Sequence, residues 1–151
     1  MHVVPTMRGV VRALGLVAIL FSSVCAAEAA PVYDGSAPMQ CAIKSVMVCD
    51  DPSICVRGTA QTVSLPSVLS VDVGRRLVGG DASGRTVRIT AVGHGAGRLM
   101  LHGEDLDLGG VAWNVVIVED SGGMSGAVLS QGGGFLMFGA CSVADGARPG
   151  R

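Results

Sequence analysis

Two serines, two histidines and a run of carboxylates are the residues of this chain whose types could do chemistry. Ser121 lies in Glu119-Asp120-Ser121-Gly122-Gly123 and Ser125 in Gly123-Met124-Ser125-Gly126-Ala127, with His94, His102 and Asp105 upstream. A serine becomes a nucleophile when a base such as histidine stands in hydrogen-bond reach and a third group orients that base. Ser121 or Ser125 with His94 or His102 therefore defines a small serine hydrolase as one alternative. The second string is one residue short of G-x-S-x-G, a motif that needs strand, sharp turn and helix to expose its serine. Met124 to Ser130 instead continues as a strand pattern. In His102-Gly103-Glu104-Asp105-Leu106-Asp107 an imidazole and several carboxylates gather at one strand end. Converging oxygens bind divalent cations, but the spacing here matches no EF-hand loop and a solvated acidic turn is the ordinary outcome. No metal and no cofactor is expected, and no catalytic residue is assigned.

The cysteines carry firmer chemistry. Cys25 falls in the N-terminal apolar stretch, and Cys41, Cys49, Cys55 and Cys141 follow it. An even number in an exported chain implies disulfides. If Met39 to Cys49 is one strand, Cys41 and Cys49 are about 26 Å apart at ~3.3 Å per residue, beyond the reach of a disulfide. Cys49 and Cys55 flank Pro52 symmetrically, so a turn there brings them face to face. The expected bridges are Cys49–Cys55 and Cys41–Cys141, the second tying the first strand to the last. Paired CxxC spacing is missing, which argues against a zinc site.

The premise of export comes from residues 1–29, read as a signal peptide. Arg8 and Arg12 give a positive start, Ala13 to Val24 an apolar run, and Ala27-Glu28-Ala29 a small-x-small cleavage pattern. The run is shorter than the ~20 residues that cross a bilayer, so cleavage before Ala30 and no stable membrane insertion afterwards are expected. Val24 before Cys25 is larger than the residue that normally precedes an acylated cysteine, which disfavours lipidation. A periplasmic or secreted location follows. The formal net charge is −1 for the whole chain, without the basic face that nucleic acid requires. Rings are also scarce, with one Trp and one Tyr, so a stacking platform for bases is not expected.

Positioning falls to β-strands. From Met39 onward apolar residues recur with period two: Val87, Ile89 and Ala91, then Leu99 and Leu101, then Val111, Trp113, Val115 and Ile117. Glycine-rich breaks at Gly79 to Gly84, Gly93 to Gly97, Gly103 to Gly110, Asp120 to Gly123 and Gln131 to Gly134 leave room for hairpins and none for crossover helices. The chain is thus expected to be all-β, an antiparallel meander of about eight strands. Closing the meander into an up-and-down barrel, or nearly closing it, hides its edges. The domain limits are 30–38 for an N-terminal arm, mobile from Tyr33 to Pro38, 39–143 for a single β domain, and 144–151 for a flexible tail.

Asp120-Ser121-Gly122-Gly123 resembles the nucleophile loop of chymotrypsin-like proteases, which implies a serine hydrolase. That fold carries its triad on two barrels, and this chain has the length of one. Trp113-Asn114-Val115-Val116-Ile117, Gly123-Met124-Ser125-Gly126, Gly134-Phe135-Leu136-Met137-Phe138-Gly139-Ala140-Cys141 and Val46-Met47-Val48-Cys49-Asp50-Asp51-Pro52 together resemble a group of small exported bacterial proteins. The resemblance implies one compact exported domain and no activity. The leading expectation is a non-enzymatic β-barrel binding module for a small apolar ligand or a protein partner. A structural component of the cell envelope is the other alternative to a hydrolase.

Overall fold

The computed structural model describes residues 32–51, 53–80, 84–106 and 109–143. The leader with Cys25 and Ala30, Asp107 of the acidic run and the tail 144–151 lie outside the described residues. The strands are β1 (Met39–Asp51), β2 (Ile54–Gly58), β3 (Val68–Asp72), β4 (Leu77–Gly80), β5 (Thr86–Gly95), β6 (Arg98–Asp105), β7 (Val111–Val118), β8 (Gly123–Ser130) and β9 (Gly133–Val143). A single 3-10 turn, Gln61–Val63, joins β2 to β3. No helix among the described residues is long and apolar enough to cross a membrane.

All pairings are antiparallel, and β1 also pairs with β9, so β1 and β3 to β9 close an eight-stranded barrel. One edge of β1 runs along β9 from Met39 opposite Val143 to Cys49 opposite Gly134. The other edge is shared: Met39 to Ala42 pair with β3, and Val46 to Asp51 pair with β2. The ninth strand, β2, is therefore an addition outside the barrel wall. The meander, its closure and both bridges are as the sequence implied, Cys41–Cys141 and Cys49–Cys55 joining directly opposed strands.

Period-two alternation becomes inside and outside. Met39, Cys41, Val46, Leu69, Val71, Val78, Ile89, Leu99, Leu101, Trp113, Val115, Ile117, Met124, Met137 and Cys141 form one buried cluster. Side chains of this size fill an eight-stranded barrel. Every break read from glycine overlaps a strand: Gly79 and Gly80 end β4, Gly93 to Gly95 end β5, and Gly123 opens β8. Gly103 lies inside β6, where a Cβ would overlap the Trp113 indole and the Arg88 carbonyl oxygen. Gly133 and Gly134 open β9, and the turn is only Gln131-Gly132. At Gly103 the residue makes room for a large ring, a packing demand that looks like turn chemistry when only sequence is read.

The arm is docked where it is described. Tyr33 N–H donates to the Glu119 carbonyl oxygen at 2.9 Å. Its ring lies over Gly122, and Gly35 sits close against Val73 and Leu99 at the same barrel mouth.

Candidate functional site

The outer wall formed by β8, β9, β1 and β2 differs from the rest of the surface. Register places Leu136 of β9 between Ala127 of β8 and Met47 of β1, and Phe138 between Ser125 and Ser45. One row further on, Gly134 lies between Leu129 and Cys49. These are outward positions, and Leu129, Leu136 and Phe138 are 59%, 43% and 44% exposed. Outward positions on β5 and β6 carry mainly polar residues, Thr86, Arg88, Arg98, His102 and Glu104, with Met100 among them at 42% exposed. Exposed large apolar side chains are thus densest on the wall of β8, β9, β1 and β2.

Within that face runs a groove of about 450 Å³, lined by Cys49, Asp51, Cys55, Leu129, Gly132, Gly133, Gly134, Phe135 and Leu136. Its origin is local. Gly134 has no side chain, so the row between Leu129 and the Cys49–Cys55 bridge is a trough, and the Leu129 side chain leans toward its bare backbone. The disulfide forms one rim and Leu129 with Leu136 the other. Asp51 closes the end near the β1–β2 turn, where its carboxylate accepts the Ser53 N–H at 2.7 Å. Apolar walls with few polar groups are the usual make-up of a binding site. A smaller cleft of about 230 Å³ over β3, β4 and β5 is edged by Ser70, Asp72, Arg75, Arg85 and Thr86. Leu77 and three glycines complete its lining, and Asp72 there accepts the Arg75 N–H at 2.9 Å.

The chemically suggestive residues are dispersed. His94 Nδ1 meets Glu119 Oε1 at 2.9 Å, a base held by a carboxylate. The third member is missing from that group: no serine hydrogen-bonds a histidine among the described residues. Ser121 Oγ accepts the Gly123 N–H at 3.4 Å, as in a side-chain-stabilised turn. Ser125 faces outward between Val116 and Phe138. His102 is exposed opposite Asn114, and Asp105 pairs with Arg85 at 3.8 Å. No three His, Cys, Asp or Glu side chains among the described residues converge as metal ligands would. Asp34, beside His94, has its carboxyl held below the usual range, first by the Ser36 side chain and then by the Ser36 N–H.

Sequence reasoning named the four disulfide cysteines but not the groove beside them. Leu129 and Leu136 occupy outward strand positions that resemble inward ones in a list, and Gly134 reads as part of a turn. The signal that could have found the site is register: once Cys41 opposes Cys141, counting along β1 and β9 puts Cys49 next to Gly134. Comparison of the chain with known protein families, with curated proteins and with solved structures found no match.

Proposed function

We propose that the chain is an exported, non-enzymatic binding module that takes a protein partner on the outer wall of its barrel. The observation that carries this reading is the groove between the Cys49–Cys55 bridge and Leu129, set where exposed large apolar side chains are densest among the described residues. A partner that covers Leu129, Leu136 and Phe138 gains the favourable transfer of exposed apolar area, about 25 cal/mol per Å². Interior packing favours this wall over the lumen as the place for a ligand, since Leu99, Ile117 and Val46 are 0% exposed at the barrel axis. Two disulfides fit an oxidising compartment, which supports export together with the leader pattern.

The test uses Leu129→Asp/Leu136→Asp. Both side chains already face solvent, so the fold should tolerate the change while the groove becomes charged. Oxidised wild-type and variant chains would be immobilised and exposed to envelope extract, with circular dichroism confirming equal folding. The proposal expects a discrete partner on wild type that is lost on the variant and competed off by soluble wild-type chain. Equal capture by both, or the release of a small apolar molecule in place of a protein, contradicts it.

A further inference from the structure

We infer that β2 is a self-recognition edge, pairing antiparallel with β2 of a second copy about a two-fold axis at Val56. The second copy would meet the groove only at its Cys55 and Asp51 rim and leave Leu129 and Leu136 uncovered. The construction of this edge is odd: no residue of β2 is buried, yet the strand is covalently clamped to β1 by Cys49–Cys55. A strand that adds nothing to the core but is held rigid is preorganised for contact. Ile54 and Val56 are 63% and 56% exposed there, and among the described residues no strand pairs with the far edge of β2. Exposed β-branched edges of this kind are templates for strand addition.

The register follows from backbone geometry. Cys49 and Cys55 have a Cα–Cα distance of 4.2 Å, which is the narrow spacing of a pair without mutual hydrogen bonds. The N–H and C=O groups of Cys55 and, two residues on, Arg57 therefore point away from β1 toward the free edge. A two-fold axis at Val56 sets Cys55 opposite the second copy's Arg57, and these outward groups then bond each other in both directions. Val56 meets its own copy between them, and Ile54 faces Gly58. An axis at Arg57 would oppose two guanidinium groups, and an axis at Cys55 would set Arg57 opposite Ser53, beyond the end of β2, so both are disfavoured. Charge supports the same choice, and it is the argument for a second copy over another strand. Arg57 is exposed and has no ionic partner among the described residues. Across the axis it lies on the face where Cys55 and Asp51 line the groove of the other copy.

The contact is short, so association belongs in the weak class below about 1,200 Å² of buried surface. The experiment is sedimentation equilibrium on the chain recovered from an oxidising compartment after expression of the full sequence, with two variants. Arg57→Pro removes an outward N–H and leaves the β1 bonds intact. It should raise the dimer dissociation constant at least tenfold while the thermal midpoint stays within a few degrees. Val56→Cys should form a disulfide-linked dimer in air, whereas Gln61→Cys, exposed beside β2, should not. Peptide mapping would verify that Cys49–Cys55 survives in both. A wild-type chain that stays monomeric at millimolar concentration overturns the inference. So does unchanged dimerisation of Arg57→Pro, or equal cross-linking at positions 56 and 61.

Discussion

Replacing both Cys41 and Cys141 by alanine, and in a parallel variant both Cys49 and Cys55, separates closure of the barrel from clamping of its added hairpin. The first bridge spans a sequence separation of 100 and the second a separation of 6. If a disulfide acts by removing loop-closure entropy from the unfolded chain, the two losses are about 4.7 and about 2.2 kcal/mol, a difference of about 2.5 kcal/mol. Burial acts in the same direction. Cys41 and Cys141 belong to the core, so truncating them also leaves a small void, while Cys55 is exposed. For a domain of this size the difference corresponds to roughly 10 to 20 °C in thermal midpoint. Urea unfolding followed by Trp113 fluorescence would measure both variants, since the single Trp reports on the barrel interior. The variant lacking Cys41–Cys141 should retain little of the stability typical of a domain, about 5 to 15 kcal/mol. Equal losses, or a larger loss in the hairpin variant, would refute the view that this bridge holds the barrel shut.

Gly103→Ala should destabilise by about 1 to 3 kcal/mol, the usual cost of overpacking, and shift Trp113 emission to the red, because the added methyl takes the space of the indole. Ser121→Ala and Ser125→Ala should each change stability by about 1 kcal/mol or less, and a fluorophosphonate probe should label neither the parent chain nor the variants. Labelling lost in Ser121→Ala, with turnover also lost in His94→Ala, would establish the hydrolase alternative instead. Asp34 should titrate below its ordinary value of 3.8 in the folded chain. Because the folded value is depressed, its contribution to stability is complete above the unfolded pKa and is lost as pH falls through the folded one. A carboxyl-carbon NMR titration of Asp34 that ran above the ordinary value would contradict the Ser36 contacts.

The closed meander was legible because Leu99, Leu101, Trp113, Val115 and Ile117 alternate strictly, and only closure hides the edges of so many strands without helices. The two bridges were legible because strand rise forbids Cys41–Cys49 and because Cys49 and Cys55 flank Pro52 symmetrically. What escaped sequence reading depends on register and packing. β2 has too few residues to show a period. Gly103 and Gly134 look like turn residues, although one yields to a ring inside the barrel and the other opens a trough outside it. The described arm residues Tyr33 and Gly35 gave no patterning that marks contact, since a ring on glycine and a single backbone hydrogen bond leave no periodic trace.

Binding on the outer wall is tested most directly by photo-cross-linking in the living cell. A benzophenone-bearing residue would replace Leu136 in one version of the chain and Arg88, on the polar side of the barrel, in another. The account predicts a discrete cross-linked protein from position 136, identified by mass spectrometry, and none from position 88. Cross-links from position 88 alone, or the same products from both positions, would contradict it.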